Sequence, residues 1–245
     1  MKKENVIKYC KNFMGYGDLN SDTLIVGMEE GDKAIYHTQE RVTRRIDTVV
    51  DLLEKGNGQT IDFLEAHKIH SPEQYEKIIN NKLFSPYWRI ATRVIMNAKK
   101  LNVDDNTAIA KFFKEYIIKH LSILEFRALP CTDLKTWNYN EWTDVEELKD
   151  RKSYYEWNDT HRINNLRNII NNSNFKQVLI FGKSLEKQWS SILGVDFSEA
   201  SVYKYEKASI KVLDHEGINY FLIPQNSKVT SNKFFDWVGS KINTK

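Results

Sequence analysis

Thr23-Leu24-Ile25-Val26-Gly27-Met28-Glu29-Glu30-Gly31-Asp32 is the stretch on which the reading of the chain turns. Four apolar or β-branched residues run into a glycine, two carboxylates and a second glycine. The apolar run has the look of a strand buried on both faces. Gly27 and Gly31 let the backbone turn and let a ligand approach closely. On that reading Glu29 and Glu30 sit on a loop at the carboxyl end of a central strand, where open α/β sheets place their ligand sites. A solvated turn carrying two surface glutamates is the other reading of the same residues.

Working outward, Asn5–Phe13 reads as a short amphipathic helix. Gly15 to Asp22 is a turn-rich approach in which Tyr16 anchors a core. After the motif, Thr38–Lys55 carries Val42, Ile46, Val49, Val50, Leu52 and Leu53 at helical spacing, closed by Gly56 and Gly58. Arg41, Arg44 and Arg45 fall on its polar side, as a solvated face or as phosphate contacts. Thr60–Lys68 reads as a short helix. Ser71-Pro72-Glu73-Gln74 has the form of a capping box with proline at the first helical position. Ser85-Pro86 opens another helix, and Asp104 or Asp105 caps a further one. The stretch 38–120 is therefore expected to be nearly all helical, a long insertion between the first and second strands.

Ser122–Leu129 alternates as a second strand, which Pro130 is expected to stop. The segment 134–155 reads as a long polar loop rich in aromatic residues, and Asp159–Asn171 as a helix. Lys176–Phe181 is a third strand running into Gly182-Lys183-Ser184 and a helix. Lys207–Leu213 and Ile218–Ile223 form a hairpin, whose second arm ends in Pro224-Gln225-Asn226-Ser227-Lys228-Val229. A last helix covers about Asn232–Ile242. Buried-type strands followed by polar loops and helices predict a three-layer α/β sandwich, 1–245 as a single domain, with a short, mainly parallel four-stranded sheet. Its loops would bring Glu29, Glu30, Arg127, Pro130, Gly182, Lys183, Gln225, Asn226, Ser227 and Lys228 to one edge.

The bulk properties set limits. A net charge of +3 and a hydrophobic fraction of 41% describe a mildly basic chain with enough apolar residues for a sizeable core. Such a charge permits a polyanionic partner without requiring one. No run of about 20 apolar residues is present, so no membrane span is expected. Two cysteines, Cys10 and Cys131, fit a reducing compartment such as the cytoplasm and exclude a four-cysteine metal site within the chain. The six histidines show no metal-ligand spacing, so neither a metal nor another cofactor is expected. Lys183-Ser184 is not a P-loop, because the first glycine of that motif is missing.

In order along the chain, Gly27-Met28-Glu29-Glu30-Gly31, Leu129-Pro130-Cys131, Val178-Leu179-Ile180-Phe181-Gly182-Lys183-Ser184 and Gln225-Asn226-Ser227-Lys228-Val229 resemble the motifs of the uracil-DNA glycosylase superfamily. The resemblance is carried by these four short blocks and extends over about a third of the chain; the 38–120 insertion is not part of the usual pattern. The resemblance implies a parallel sheet flanked by helices. It also implies hydrolysis of the bond between deoxyribose and a flipped-out base, leaving an abasic site. Glu29 stands where the family orients or activates water, with Glu30 as the second carboxylate. Gln225 stands where the family has a histidine that steadies the departing base. Gly27, Met28, Gly31, Arg127, Pro130 and Asn226 would shape the base pocket. Gly182, Lys183, Ser227, Lys228, Val229 and Ser231 would hold the DNA, with Val229 filling the gap left by the flipped base.

Three departures steer the substrate away from plain uracil. Glu30 replaces the motif proline, Gln225 replaces the histidine, and no asparagine ends the second strand. Gly31 stands where uracil enzymes close the pocket with tyrosine, which leaves room for a larger base. Hydroxymethylated or glucosylated cytosine of phage DNA fits that room, and the chain looks closer to antiviral defence glycosylases than to repair enzymes. The implied partner is double-stranded DNA carrying modified bases. The alternative is an inactive module of the same fold that grips DNA or a protein.

Overall fold

The computed structural model describes residues 1–31, 37–56, 58–82, 85–131, 135–225 and 231–242, with backbone only for 29–31. The strands are β1 (Gly15–Gly17), β2 (Thr23–Gly31), β3 (Thr60–Ile61), β4 (Ser122–Cys131), β5 (Gln177–Phe181), β6 (Ser201–Tyr205), β7 (Ala208–His215) and β8 (Ile218–Ile223). The first half of the chain holds helices α1 (Lys3–Asn12), α2 (Gln39–Gly56), α3 (Phe63–His70), α4 (Pro72–Ile79), α5 (Pro86–Ala98) and α6 (Asn106–Phe112). A π-helical turn over Phe113–Ile117 leads into α7 (Ile118–His120). The second half adds α8 (Tyr139–Trp142), α9 (Arg151–Asn172), α10 (Glu186–Leu193) and α11 (Asn232–Ile242).

The fold is α/β, but its sheet is neither short nor four-stranded. Eight strands run in the order β3-β1-β4-β2-β5-β8-β7-β6, and the sheet is mixed. The central β4, β2, β5 and β8 are mutually parallel. Antiparallel pairing extends them at both sides, through β1 on β4 and through β7 and β6 beyond β8. The extra strands escape a pattern search because they are brief or polar. β3 spans two residues inside the stretch expected to be helical. β6, Ser-Val-Tyr-Lys-Tyr, is an edge strand exposed along much of its length, which charge and polarity suit. The turns that join β6 to β7 and β7 to β8 place Glu206, Glu216 and Gly217 at positive φ (52°, 52° and 80°). A twisted two-residue hairpin turn requires that backbone.

Alternation divides the core into two layers. Ile25, Ile123, Leu179, Phe221 and Ile223 face a cluster completed by α1, α2, α3, α5 and α11. Leu24, Val26, Leu124, Phe126, Val178, Ile180 and Leu222 face a second cluster with Leu166, Ile169 and Ile170 of α9 and Trp189, Ile192 and Leu193 of α10. The helices between residues 39 and 120 thus supply part of the sheet's cover. α5 and α11 are locked by Arg93, whose Nε and Nη2 donate to both carboxylate oxygens of Asp236. Asn97 Nδ2 donates to the same carboxylate at 2.8 Å. Gly239 permits this approach, since a side chain there would collide with Asn97 and the Val94 carbonyl.

Three further expectations are corrected. Residues 27–31 belong to β2 and pair with β4, so Gly27, Glu29 and Glu30 are in a strand and not on a loop. β4 runs on through Pro130 to Cys131. The register shifts between the Glu29↔Arg127 and Gly31↔Cys131 pairs, so three β4 residues face one β2 residue there. A bulge of that kind tolerates a proline, because its missing N–H falls where the ladder is interrupted. The presumed loop before residue 155 contains α8, and α9 begins at Arg151, capped by the Asp150 carboxylate accepting from Ser153 N–H at 2.7 Å.

Smaller differences follow the same logic. Pro72 opens α4, but the Ser71 hydroxyl makes no capping bond. Asp105, not Asp104, caps α6. Arg45 is fully buried and is no part of a solvated face.

Candidate functional site

The carboxyl ends of β4, β2, β5 and β8 lie side by side. Gly27 is in register with Glu125, Glu29 with Arg127, Val26 with Ile180, and Phe181 with Ile223. Strands about 4.8 Å apart set Gly27 about 10 Å from Ile223 at the end of β8, and β2 runs four residues past that level. Glu29, Glu30, Arg127, Gly182 and Gln225 therefore share one edge of the sheet by backbone position. Gln225, half-buried, lies two residues past β8. The side chains of Glu29 and Glu30, and all of Asn226, Ser227, Lys228 and Val229, lie outside the described residues. Ser231 is exposed immediately before α11.

Not every candidate faces the same way. Met28 packs against the α9–α10 cluster, on the opposite face from Gly27. Pro130 is buried and its carbonyl accepts from the Tyr139 hydroxyl at 2.7 Å. Gly182 donates its N–H to the Ile223 carbonyl at 2.9 Å, and the Trp189 indole fills the space beside its Cα. Lys183 Nζ donates to the Ser209 carbonyl at 3.0 Å and to its hydroxyl. That ammonium is half-buried on β7, and burial, followed by the nearby Lys211, pulls its pKa below the ordinary lysine value.

The chemistry nearest the sheet edge comes from Arg127, already a candidate from the sequence, and from Glu125 and Tyr87, which the sequence pattern did not single out. Glu125 is only 7% exposed, and its carboxylate occupies the space that a Cβ on residue 27 would need. This, rather than a turn, is why residue 27 is glycine. Two residues further along the same face, Arg127 is 8% exposed. Its guanidinium lies 3.1 Å from the centroid of the half-buried Tyr155 ring. A stacked guanidinium of this kind keeps its edge free to donate. Among the described residues, Arg127 Nε has no hydrogen-bond partner, and no ion pair joins Arg127 to a carboxylate.

Tyr87, at the start of α5, lies near the Glu125 carboxylate. Its ring meets Phe181 edge-on at 5.3 Å. Burial raises its pKa well above the ordinary tyrosine value, and the Glu125 carboxylate raises it further, so the hydroxyl stays a neutral donor. That hydroxyl is also buried without a hydrogen-bond partner among the described residues.

Comparison of the chain with protein-family models, with curated proteins and with solved structures finds no match.

The arrangement offers a buried acceptor, a buried donor fork and a neutral hydroxyl beside the strand positions of two further carboxylates. Among the described residues no three His, Cys, Asp or Glu side chains gather as a metal would require, and no helix is long and apolar enough to cross a membrane. A polar cavity of about 360 Å³, lined by Asn20, Asn165, Asn168, Asn172 and Asn174, lies at the opposite, amino end of β2 and β5. One signal could have exposed Glu125 beside the Arg127 already named. Two charges two residues apart, inside a strand whose neighbours are Ile123, Leu124, Phe126 and Leu129, point to one face of a buried sheet.

Proposed function

We propose that the protein is a DNA glycosylase with a uracil-DNA glycosylase-like core. In this reading it hydrolyses the N-glycosidic bond of a modified base flipped out of double-stranded DNA. The four parallel central strands, covered by helices on both faces, are compatible with such a core. The observation that carries the reading is the register of β2 with β4, which sets Glu29 beside the buried Arg127 at the sheet edge where β8 also ends.

Breaking the bond to deoxyribose passes through an oxocarbenium-like state. In this scheme the Glu29 carboxylate favours the positive charge on the sugar and aligns water, with Glu30 as the neighbouring carboxylate. Gln225 donates to the departing base. Ser227, Lys228 and Ser231 hold phosphates, and Val229 fills the vacated stack. Lys183, which the resemblance sets among the DNA-holding residues, donates to the carbonyl and hydroxyl of Ser209.

Glu29→Gln tests the proposal. It is expected to leave folding and DNA binding intact and to reduce base release by about a hundredfold or more. The measurement is abasic-site formation on hydroxymethylcytosine and glucosylated phage DNA. Base release at the wild-type rate removes Glu29 from the chemistry. The engagement of Lys183 favours one second reading, a non-catalytic module of this fold that binds DNA or a protein. DNA binding with no abasic sites on any substrate would select it.

A further inference from the structure

We infer that the cavity between the first turns of α2 and α4 binds a phosphate group. The inference goes beyond the glycosylase reading and does not depend on it, because it concerns an anion site and not the hydrolysis.

Three observations carry it. First, a cavity of about 280 Å³ opens where two helices begin, lined by Thr38, Glu40, Arg41 and Arg44 on one side and by Ser71 and Glu73 on the other. Thr38 starts α2: its carbonyl accepts from Val42 N–H at 3.2 Å and its hydroxyl from Arg41 N–H at 3.4 Å. Ser71 holds the same place before α4, with its carbonyl accepting from the N–H groups of Gln74 and Tyr75 at 2.9 and 3.1 Å. Each helix start brings the positive end of its dipole and first-turn N–H groups that have no partner within the helix.

Second, Ser71 is only 8% exposed and lines this cavity, yet its hydroxyl does not cap α4 and makes no hydrogen bond among the described residues. A serine in that place ordinarily turns its oxygen onto a first-turn N–H. This one is enclosed, points to no protein partner, and leaves its O–H as a donor for a ligand. Third, Arg41 and Arg44 reach the cavity three residues apart on α2. His70, in the wall, stands 3.5 Å from the guanidinium of the fully buried Arg45, so a third cation lies behind it.

Two carboxylates share the cavity and set the strength of the site. Glu73 lies 3.7 Å from Arg41, and Glu40 lies 2.9 Å from Arg44. Their side chains are 71% and 80% exposed. Exposed pairs of this kind contribute little, so both carboxylates can swing into water when a stronger anion arrives. A carboxylate offers two oxygens in one plane. A phosphate offers a tetrahedron of oxygens, which two guanidinium groups, a hydroxyl and the N–H groups of two helix starts can meet from several sides. The volume leaves room for the sugar that a phosphate carries. The cavity also sits at the working end of the molecule. Gln39 Nε2 donates to the Trp142 carbonyl at 3.3 Å, and Tyr139 of the same short helix holds the Pro130 carbonyl at the end of β4. A phosphate of DNA or of a free nucleotide supplies the same chemistry there.

The test titrates the full chain with inorganic phosphate at constant ionic strength, followed by NMR or calorimetry. Saturable binding is expected, weakened about tenfold in the double variant Arg41→Gln, Arg44→Gln and about fivefold in Ser71→Ala. Glu73→Gln removes a competing carboxylate, so it is expected to tighten binding severalfold, a gain that damage to the fold would not produce. Lys187→Gln, at an exposed lysine of α10, is expected to change nothing. Absence of saturable binding overturns the inference. So does equal weakening by Lys187→Gln and by the arginine changes, or an affinity that moves in neither Ser71→Ala nor Glu73→Gln. Two further probes name the source: dCMP, and a DNA duplex without terminal phosphates. A duplex affinity that falls in the arginine double variant assigns the site to the DNA backbone. A duplex unaffected while dCMP weakens assigns it to a free phosphomonoester. Abasic-site formation is scored separately, and phosphate binding without base release from any DNA removes the glycosylase and leaves the anion site.

Discussion

Arg162 and Arg127 are both buried against β4, yet the two regions treat a guanidinium in opposite ways. Arg162, on α9, is fully enclosed. Its Nε donates to the Phe126 carbonyl, Nη1 to the Cys10 and Phe13 carbonyls, and Nη2 to the Glu125 carbonyl. Two of those acceptors lie at the carboxyl-terminal end of α1, where the helix dipole favours a cation. Burial lowers the Arg162 pKa, but four of its five N–H donors meet carbonyl acceptors. Arg127 has an aromatic ring beneath it and, among the described residues, no acceptor at Nε. The first arrangement joins α1, β4 and α9; the second keeps a donor waiting. Burial alone does not separate structure from function, whereas the accounting of acceptors does.

The largest expected effect breaks the satisfied side. Arg162→Met keeps approximate volume but strands several buried carbonyls, and breaking such a network costs about 3–5 kcal/mol. Chemical denaturation should show a loss of that size. A loss below about 1 kcal/mol would mean that the carbonyls find other donors, and the contrast with Arg127 would lose its basis.

The same network explains what the sequence hid. The buried positions of α9 are Tyr154, Asn158, Arg162, Leu166, Ile169 and Ile170, a continuous stripe at helical spacing. Its first half is polar because it lies over the carbonyls of β4, so a search for apolar periodicity finds the helix only from residue 159 onward. β4 misled for a related reason. All ten of its residues are buried, but Glu125, Arg127 and Pro130 make it read as a half-exposed strand with an early stop. By contrast the first half of β2, with β5, β8 and α11, was legible, since their apolar runs and bounding turns answer to local rules. The carboxyl edge of the sheet was legible as the place where the strand ends gather, because topology puts them there. The burial of Glu125 was not, because whether it faces solvent or Gly27 depends on which strand lies alongside.

A third buried arginine sharpens the comparison with a pH-dependent effect. Arg45 donates Nε–H to the Tyr9 hydroxyl at 2.9 Å and sits 3.5 Å from His70 Nε2. His67 Nδ1 is 2.8 Å from the Phe63 carbonyl, which can only accept, so Nδ1 carries the proton. Burial, followed by the Arg45 charge, pushes the His67 pKa down to about 3, and the same causes lower that of His70. The unfolded chain protonates both imidazoles as pH falls through about 6.5, while the folded chain keeps them neutral. The unfolded state therefore binds protons first, and stability is lost as pH drops below that value, by about 1.4 kcal/mol per unit for each imidazole. Denaturation midpoints measured between pH 7 and pH 5 should fall accordingly, and His67→Phe should flatten the slope. A midpoint independent of pH over that range would show that the imidazoles are open to water.

The smallest expected effect is the most informative about function. Arg127→Met removes a buried charge that makes no described hydrogen bond and leaves a side chain of similar length over Tyr155, where a thioether packs well against a ring. Replacing a buried ion by an apolar isostere is often neutral or stabilising. The change in unfolding free energy should therefore stay within about 1 kcal/mol, or about 4 °C in Tm for a chain of this length. The same substitution at Arg162 should cost several times more, so the pair separates a residue kept for stability from one kept for a ligand. Base release from modified DNA must move the other way, with Arg127→Met losing abasic-site formation while a folded variant remains. If Arg127→Met destabilises the protein as much as Arg162→Met does, then its guanidinium belongs to the scaffold, and the edge of β4 has to be read as structure.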